Sequence, residues 1–195
     1  MSRIIIGIHG LGNKPPSALL KEWWYDALRE GLGRIGQPGI HFRFEMVYWA
    51  DILHALPLDP SVADKQNTLF LADPYIPSTT SLKSNPTKFR RMWLDFLEKE
   101  VDRLFKKQKK SKAFNSLTDM IIGHYFTDLN QYYSAGIKNS NGNKVEVKSL
   151  IRRRLEIVLK KHRRDRVLLI AHSMGSIIAY EVLCLQNQEL EIDTL

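Results

Sequence analysis

The sequence predicts a three-layer α/β fold in which helices cover both faces of a mostly parallel β-sheet. Two short apolar runs, Ile4–Ile8 and Val167–Ile170, each lead into a glycine-containing loop and then into a segment with helical periodicity. Continuous apolar runs of this length are typical of buried parallel strands. A further strand is predicted at His41–Tyr48, whose residues alternate before they become continuously apolar. We expect the first strand to lie between the other two.

Length and composition set limits on the class of protein. The 195 residues are enough for one substantial core, so we expect a single domain over residues 1–195. No run approaches the roughly 18 to 20 apolar residues that span a bilayer, and the apolar run at the N-terminus is too short for a signal peptide. The single cysteine, Cys184, excludes an internal disulfide. A reducing cytoplasm is therefore the expected location.

The net charge of +8 raises the question of an anionic partner. No nucleic-acid partner is expected, because the basic clusters lack the interleaved aromatic residues that stack on bases. Peripheral contact with an anionic membrane stays open. The clusters are Lys106–Lys112, Arg152–Arg154 and Lys160–Arg164.

The first strand is followed by a glycine loop and a helix. The loop runs from His9 to Pro16 and contains Gly10 and Gly12. Ser17 is predicted to be the N-cap of the helix, and Gly31 and Gly33 are predicted to end it. The buried side of this helix is predicted to consist of Leu19, Leu20, Trp23, Trp24, Ala27 and Leu28.

The regular order of strand and helix breaks after Asp51. We expect residues 52–140 to form an inserted segment that lies over the sheet and acts as a lid over the site. Helices are predicted at Lys88–Lys107 and Phe114–Tyr133, from apolar residues at helical spacing, and a turn is predicted at Asn139–Asn143. A final helix, predicted at Val145–His162, leads the chain back to the strand at Val167–Ile170.

The segment around Ser173 predicts a nucleophile elbow, which is a tight turn between a strand and a helix. The small residues Ala171 and Gly175 flank Ser173 at two residues on either side, and Ser176–Leu185 has helical periodicity. Small flanks are needed because the turn brings these two positions close together. The alternative is an ordinary serine in a strand–helix connection. The apolar strand, the two small flanks and the amphipathic helix together favour the elbow.

The chemistry that suits these residues is acyl transfer through a serine. Ser173 would attack a carbonyl carbon, and backbone N–H groups would hold the charge that develops on the carbonyl oxygen. The expected donors of this oxyanion hole are the N–H of Met174 and those of Gly10 and Leu11. We expect His9, Gly12, His172 and Gly175 to shape the site. A nucleotide-binding loop is not indicated, because the glycine spacing matches neither common phosphate-binding motif.

Two stretches carry a family resemblance, Ile-Ile-Gly-Ile-His9-Gly10-Leu-Gly and Leu-Leu-Ile-Ala171-His172-Ser173-Met174-Gly175-Ser. They resemble the oxyanion loop and the nucleophile elbow of the α/β-hydrolase superfamily, on its serine esterase and lipase side. The resemblance implies the sheet of that family and a Ser173 nucleophile. Ala171 departs mildly from the glycine that is usual in the family.

A second departure concerns the other members of the triad. In the family an acid and then a histidine follow the serine, but the stretch from Met174 to Leu195 contains carboxylates and no histidine. We therefore expect the chain to be an incomplete hydrolase domain that lacks the downstream acid and base. None of the six histidines is favoured as a substitute base, and His41 and His162 are expected to be solvated. The six are His9, His41, His54, His124, His162 and His172.

The sequence thus predicts a serine hydrolase that acts on a carboxylic ester or a related acyl bond of a small-molecule substrate. This chain alone is expected to have weak activity or none. The alternative is a non-catalytic protein that keeps the same scaffold for binding. No cofactor is expected, and no grouping of histidines and carboxylates indicates a metal site.

Overall fold

The main sheet has three parallel strands in the computed structural model, which describes residues 2–77, 127–138 and 144–186. The strands are β1 (Arg3–Ile8), β2 (Arg43–Val47) and β5 (Arg166–Ala171), in the order β2-β1-β5. The predicted order and parallel direction are confirmed. The predicted strand at His41–Tyr48 was too long, since the sheet pairing begins at Arg43 and ends at Val47.

The register of β1 places the two glycine loops at one edge of the sheet. Ile8 at the end of β1 is paired with Val47 on one side and with Ala171 on the other. All three strands therefore end together, and the residues that follow them meet at the carboxyl edge, where open α/β sheets place their ligands.

Apolar residues cover both faces of the sheet, which gives the three predicted layers. On one face Ile4, Ile6 and Ile8 belong to the larger core, together with Ile151 and Leu155 of a helix near the C-terminus. The other face carries a smaller core formed by Leu20, Phe44 and Met46 with Trp24 and Ile5 packed against it.

The first helix, α1, spans Ser17–Arg34, so two predictions about its ends were wrong. Pro16, and not Ser17, occupies the N-cap position, where its ψ of 142° is still extended and no side chain caps the helix. The helix continues through Gly31 and Gly33, where each missing side chain costs about 1 kcal/mol of helix propensity. It ends just before Gly36, whose φ of +77° suits a left-handed C-terminal residue.

The described part of the predicted insertion contains little regular structure before residue 77. Helix α2 spans Ala50–Leu53, helix α3 spans Thr127–Ser134, and a hairpin follows with strands β3 (Gly136–Lys138) and β4 (Lys144–Glu146). The predicted helix at Phe114–Tyr133 is described only from Thr127 onward. The predicted helix at Lys88–Lys107 and the predicted turn at Asn139–Asn143 lie outside the described residues.

Helix α4 spans Val147–Lys161 and buries Ile151, Leu155 and Leu159 against the sheet. The predicted start at Val145 was wrong, because Val145 pairs with Ile137 in the hairpin. The prediction that His162 is solvated was also wrong. His162 is only 4% exposed, and its ring nitrogens lie 2.6 Å from a Glu45 oxygen and 2.8 Å from an Asp165 oxygen.

Helix α5 spans Met174–Tyr180 and continues as a wider π-helical segment, Glu181–Gln186. The helical periodicity of Ser176–Leu185 is confirmed, and so is the start of the helix at Met174, directly after the turn at Ser173. Cys184 lies in the π-helical segment and is exposed. Among the helices that the structure describes, none has the length and apolar character needed to cross a membrane.

Candidate active site at Ser173

Ser173 occupies a sharp turn between β5, which ends at Ala171, and α5, which begins at Met174. Its backbone angles are φ 53° and ψ −123°, and in the described ranges it is the one residue other than glycine with a positive φ. A residue with a side chain pays about 1–3 kcal/mol to adopt such a conformation. The strand–turn–helix geometry that the sequence predicted is present.

Gly175 allows the start of α5 to lie directly against the end of β1. A Cβ atom at this position would lie 2.7 Å from the carbonyl oxygen of Ile8 and 2.9 Å from that of His9. Both atoms belong to the backbone and cannot move aside as a flexible side chain can. Glycine at position 175, two residues after the serine, is therefore required by the close approach of β1.

Gly10 brings the loop after β1 into contact with Ser173. A Cβ atom on Gly10 would lie 2.8 Å from the Cβ of Ser173 and 2.9 Å from Nδ1 of His172. The two glycine loops therefore meet, as predicted from their positions at the carboxyl edge. The His172 side chain, which is exposed, borders the same part of the loop.

His9 is a buried residue that fixes the start of this loop. It is 1% exposed, its ring stacks on Trp49, and Nδ1 donates to the Gly10 carbonyl oxygen at 2.9 Å. Nε2 accepts the backbone N–H of Trp49 at 3.0 Å, which identifies the neutral tautomer with the proton on Nδ1. Burial lowers the pKa of His9 to about 4. Because both nitrogens are engaged, His9 shapes the loop and is not free to take a proton from Ser173.

Trp49 and Lys14 both donate hydrogen bonds to carbonyl oxygens of the loop after β1. The sequence assigned neither of them a role at the site. The Trp49 indole donates to the His9 carbonyl oxygen at 3.0 Å. The Lys14 ammonium donates to the carbonyl oxygens of Leu11 and Gly12. Burial lowers the pKa of Lys14. A lysine two residues after a loop glycine is too common a pattern to have revealed this contact.

The hydrogen bonds of the loop determine which N–H groups stay available. In a trans peptide the N–H points away from the C=O, so the Leu11 N–H points away from the side where His9 holds the Gly10 carbonyl. The Gly12 N–H is occupied, because it donates to Asp128 at 2.6 Å. In the part of the chain that the structure describes, the N–H groups of Gly10, Leu11 and Met174 have no hydrogen-bond partner.

Asp128 and His54 form an acidic and basic pair beside the loop. Asp128, in the first turn of α3, is 6% exposed, and its Oδ1 lies 3.2 Å from Nε2 of His54. His54 follows α2, so the two ends of the insertion meet at Gly12. Neither residue stands in a recognisable motif, and only the tertiary fold brings them together.

Glu181 is the centre of a second buried polar cluster, located on the continuation of α5. It accepts hydrogen bonds from the Tyr132 hydroxyl at 2.6 Å, the Tyr133 hydroxyl at 3.0 Å and the Lys148 ammonium at 2.7 Å. Burial opposes ionisation of Glu181, but the bonds from Lys148 and the two tyrosines outweigh it and lower its pKa. This cluster fastens α3 and α4 to α5.

Among the residues that the structure describes, no base is bonded to the candidate nucleophile. Within the described residues, the Ser173 hydroxyl forms no hydrogen bond with a histidine ring or a carboxylate, and no group of histidines, cysteines and carboxylates could hold a metal ion. His41 is exposed, and His162 lies at the opposite, amino-terminal edge of the sheet beside Ser2 and Arg43. His124 lies outside the described residues.

The geometry of the described residues is the basis for any functional assignment. Comparison of the chain with protein-family models, with curated proteins and with solved structures found no match.

Proposed function

We propose that this chain is a serine hydrolase of the α/β-hydrolase type that acts on a carboxylic ester or a related acyl bond. One observation carries the proposal: Ser173 adopts a strained turn conformation and packs directly against the backbone of Gly10. Strain of this kind persists only where the surrounding structure enforces it, and it concentrates at active sites. The N–H groups of Gly10, Leu11 and Met174, which have no hydrogen-bond partner among the described residues, would use this geometry to bind an anion.

The proposed reaction begins with attack of the Ser173 hydroxyl oxygen on the substrate carbonyl carbon. The carbonyl oxygen becomes an anion, which accepts hydrogen bonds from the Met174 N–H and from Gly10 or Leu11. Collapse of this intermediate expels the alcohol, which takes a proton, and leaves an acyl-serine. Water then attacks the acyl-serine and releases the carboxylic acid, which restores the hydroxyl.

A base must take the serine proton, because a neutral hydroxyl is a poor nucleophile. His9 is excluded by its two hydrogen bonds, and among the described residues no histidine ring is bonded to the Ser173 hydroxyl. We therefore expect this chain to turn over esters slowly. In serine hydrolases the loss of a triad member costs several orders of magnitude in rate, and the oxyanion hole supplies what remains.

The absence of a bonded base among the described residues also favours a second candidate, a non-catalytic protein that uses the same pocket for binding. Such a protein would need neither a strained serine nor free N–H donors. The two candidates differ in whether Ser173 reacts with electrophiles more readily than other exposed serines.

The test is labelling of the purified chain with a fluorophosphonate probe, followed by peptide mapping. We expect modification of Ser173 that is slow, because the described residues place no base against it, but selective, and we expect its loss in Ser173→Ala. Ser176→Ala is the matched control, because Ser176 is exposed and lies one helical turn away. Equal labelling of Ser173 and Ser176 would refute a functional oxyanion hole and would favour the binding protein.

Turnover of a short-chain chromogenic ester tests the second half of the proposal. We expect slow hydrolysis that disappears in Ser173→Ala. Fast Ser173-dependent hydrolysis would show that a histidine of this chain, such as His54, reaches the serine. Hydrolysis that is unchanged in Ser173→Ala would contradict the assignment of Ser173 as the nucleophile.

A further inference from the structure

The short helix α3 contacts both segments that carry the proposed oxyanion donors. Asp128 in its first turn accepts the N–H of Gly12, the residue next to Leu11. Tyr132, one helical turn later, donates to Glu181 on the continuation of α5, the helix that begins at Met174. Residues four apart lie on the same side of a helix. One side of α3 therefore connects the loop donor with the elbow donor.

The Asp128 carboxylate is committed to the loop. It is nearly completely buried, and a buried carboxylate is costly unless its oxygens accept hydrogen bonds. Its bonds run to the Gly12 N–H and to His54, both outside its own helix. The Lys14 ammonium, which holds the Leu11 and Gly12 carbonyls, supplies an opposite charge nearby.

The loop is thus held from two sides. Lys14 holds the carbonyl oxygens of Leu11 and Gly12, and Asp128 holds the N–H of Gly12. Since each peptide unit is planar, fixing these atoms fixes the peptide planes on the C-terminal side of Leu11. His9 fixes the plane on the other side through the Gly10 carbonyl. The direction of the Leu11 N–H follows from these contacts.

We infer that Asp128 is a positioning residue for the oxyanion hole, and that α3 sets the distance between its two donors. The inference rests on the proposed function, because it assigns the purpose of a contact at that same site. It also places the C-terminal end of the insertion in direct mechanical contact with the reaction centre. Asp128 itself need not touch the substrate.

The hydrogen bond between Asp128 and the Gly12 N–H is tested by NMR, without measuring enzymatic activity. In protein labelled with ¹⁵N-glycine, the Gly12 amide should exchange slowly with solvent and should have a strongly downfield proton shift, as expected for a short bond to a carboxylate. Asp128→Ala should abolish both properties, and Asp128→Asn should retain part of them because its amide oxygen can still accept. A Gly12 amide that is unchanged in Asp128→Ala would overturn the inference.

The functional half is tested by the rate of fluorophosphonate labelling at Ser173. We expect Asp128→Ala to slow labelling about 10- to 100-fold, as a misplacement of roughly 1 Å does elsewhere, and Tyr132→Phe to slow it less. Asp128→Asn should restore part of the rate. The matched control is Asp165→Asn, which removes a hydrogen-bonded carboxylate at the opposite edge of the sheet.

The variants are compared without urea, at a temperature at which circular dichroism shows each of them to be folded. If Asp128→Ala lowers the unfolding midpoint but labels Ser173 at the wild-type rate, Asp128 is merely structural and the inference is wrong. If Asp165→Asn slows labelling as much as Asp128→Ala does, the effect is general and the inference is also wrong. Failure of the wild-type chain to label would refute the proposed function, while the Gly12 amide would still report on the contact with Asp128.

Discussion

The substitution Gly175→Ala tests the close contact between α5 and β1 on which the site depends. The new methyl group would lie 2.7 Å from the Ile8 carbonyl oxygen and 2.9 Å from the His9 carbonyl oxygen. Both distances are shorter than carbon and oxygen atoms tolerate, and both oxygens belong to the backbone. The start of α5 must therefore move away from β1.

The expected loss of stability is the difference between two effects. Overpacking of this kind costs about 1–3 kcal/mol. Alanine regains at most about 1 kcal/mol of helix propensity. We therefore expect the free energy of unfolding to fall by up to about 2 kcal/mol. The same movement displaces the Met174 N–H, so labelling of Ser173 should also slow.

The matched control is Gly31→Ala in α1, where nothing lies within 4 Å of the new methyl group. The same change of residue should there stabilise the chain by about 0.5–1 kcal/mol. Urea unfolding followed by circular dichroism measures both variants. With a slope of about 2 kcal/mol/M, Gly175→Ala should lower the midpoint by up to roughly 1 M, and Gly31→Ala should raise it. A Gly175→Ala variant as stable as Gly31→Ala would refute the close packing of α5 on β1.

Three further predictions concern strain and pH. Ser173→Gly should raise the free energy of unfolding by about 1–2 kcal/mol, because glycine adopts a φ of 53° without strain. Ser173→Ala keeps a Cβ atom and should bring no such gain. Urea unfolding of both variants measures the difference. His9 has a folded pKa of about 4 against an ordinary 6.5, so the unfolded chain binds its proton first and stability should fall as the pH drops from 6.5 toward 4. That slope should be shallower in His9→Gln, and equal slopes would contradict the assignment. Hydrogen bonds from Ser2 and His162 lower the pKa of Asp165 to about 2, so its stabilisation is complete above the ordinary value of 3.8 and is lost as the pH falls through 2. Asp165→Asn should therefore lose stability at pH 7, and its deficit relative to wild type should shrink below pH 3.8.

The parts of the fold that follow from local sequence were predictable. The apolar runs at Ile4–Ile8 and Val167–Ile170 have the character of central strands, and their parallel order follows from the helices between them. The turn at Ser173 was predictable because its small flanks are required by a geometry confined to a few adjacent residues. Element ends were less predictable, as at Gly31, because packing along the rest of α1 outweighs the propensity of one residue.

The support of the site could not be predicted, because it depends on contacts between distant residues. Gly12 and Asp128 lie 116 positions apart, and His9 and Trp49 lie 40 apart. His162 was expected in solvent because its neighbours in sequence are basic. Its environment is set instead by Glu45 of β2 and by Asp165 in the turn before β5.

The order β2-β1-β5 has a consequence for how the chain reaches its native state. The pairing of β1 with β2 can form early, but the partner for the other side of β1 is not synthesised until residues 166–171. Closing such a long loop is slow, because its entropy is lost before the contacts it brings are gained. During that interval the unpaired side of an isoleucine-rich strand offers a template for pairing with other chains. Pairing of β5 with β1 then ends this exposure and, in the same step, brings Ser173 to Gly10, so a nascent chain forms the candidate site only when this isoleucine-rich edge is covered.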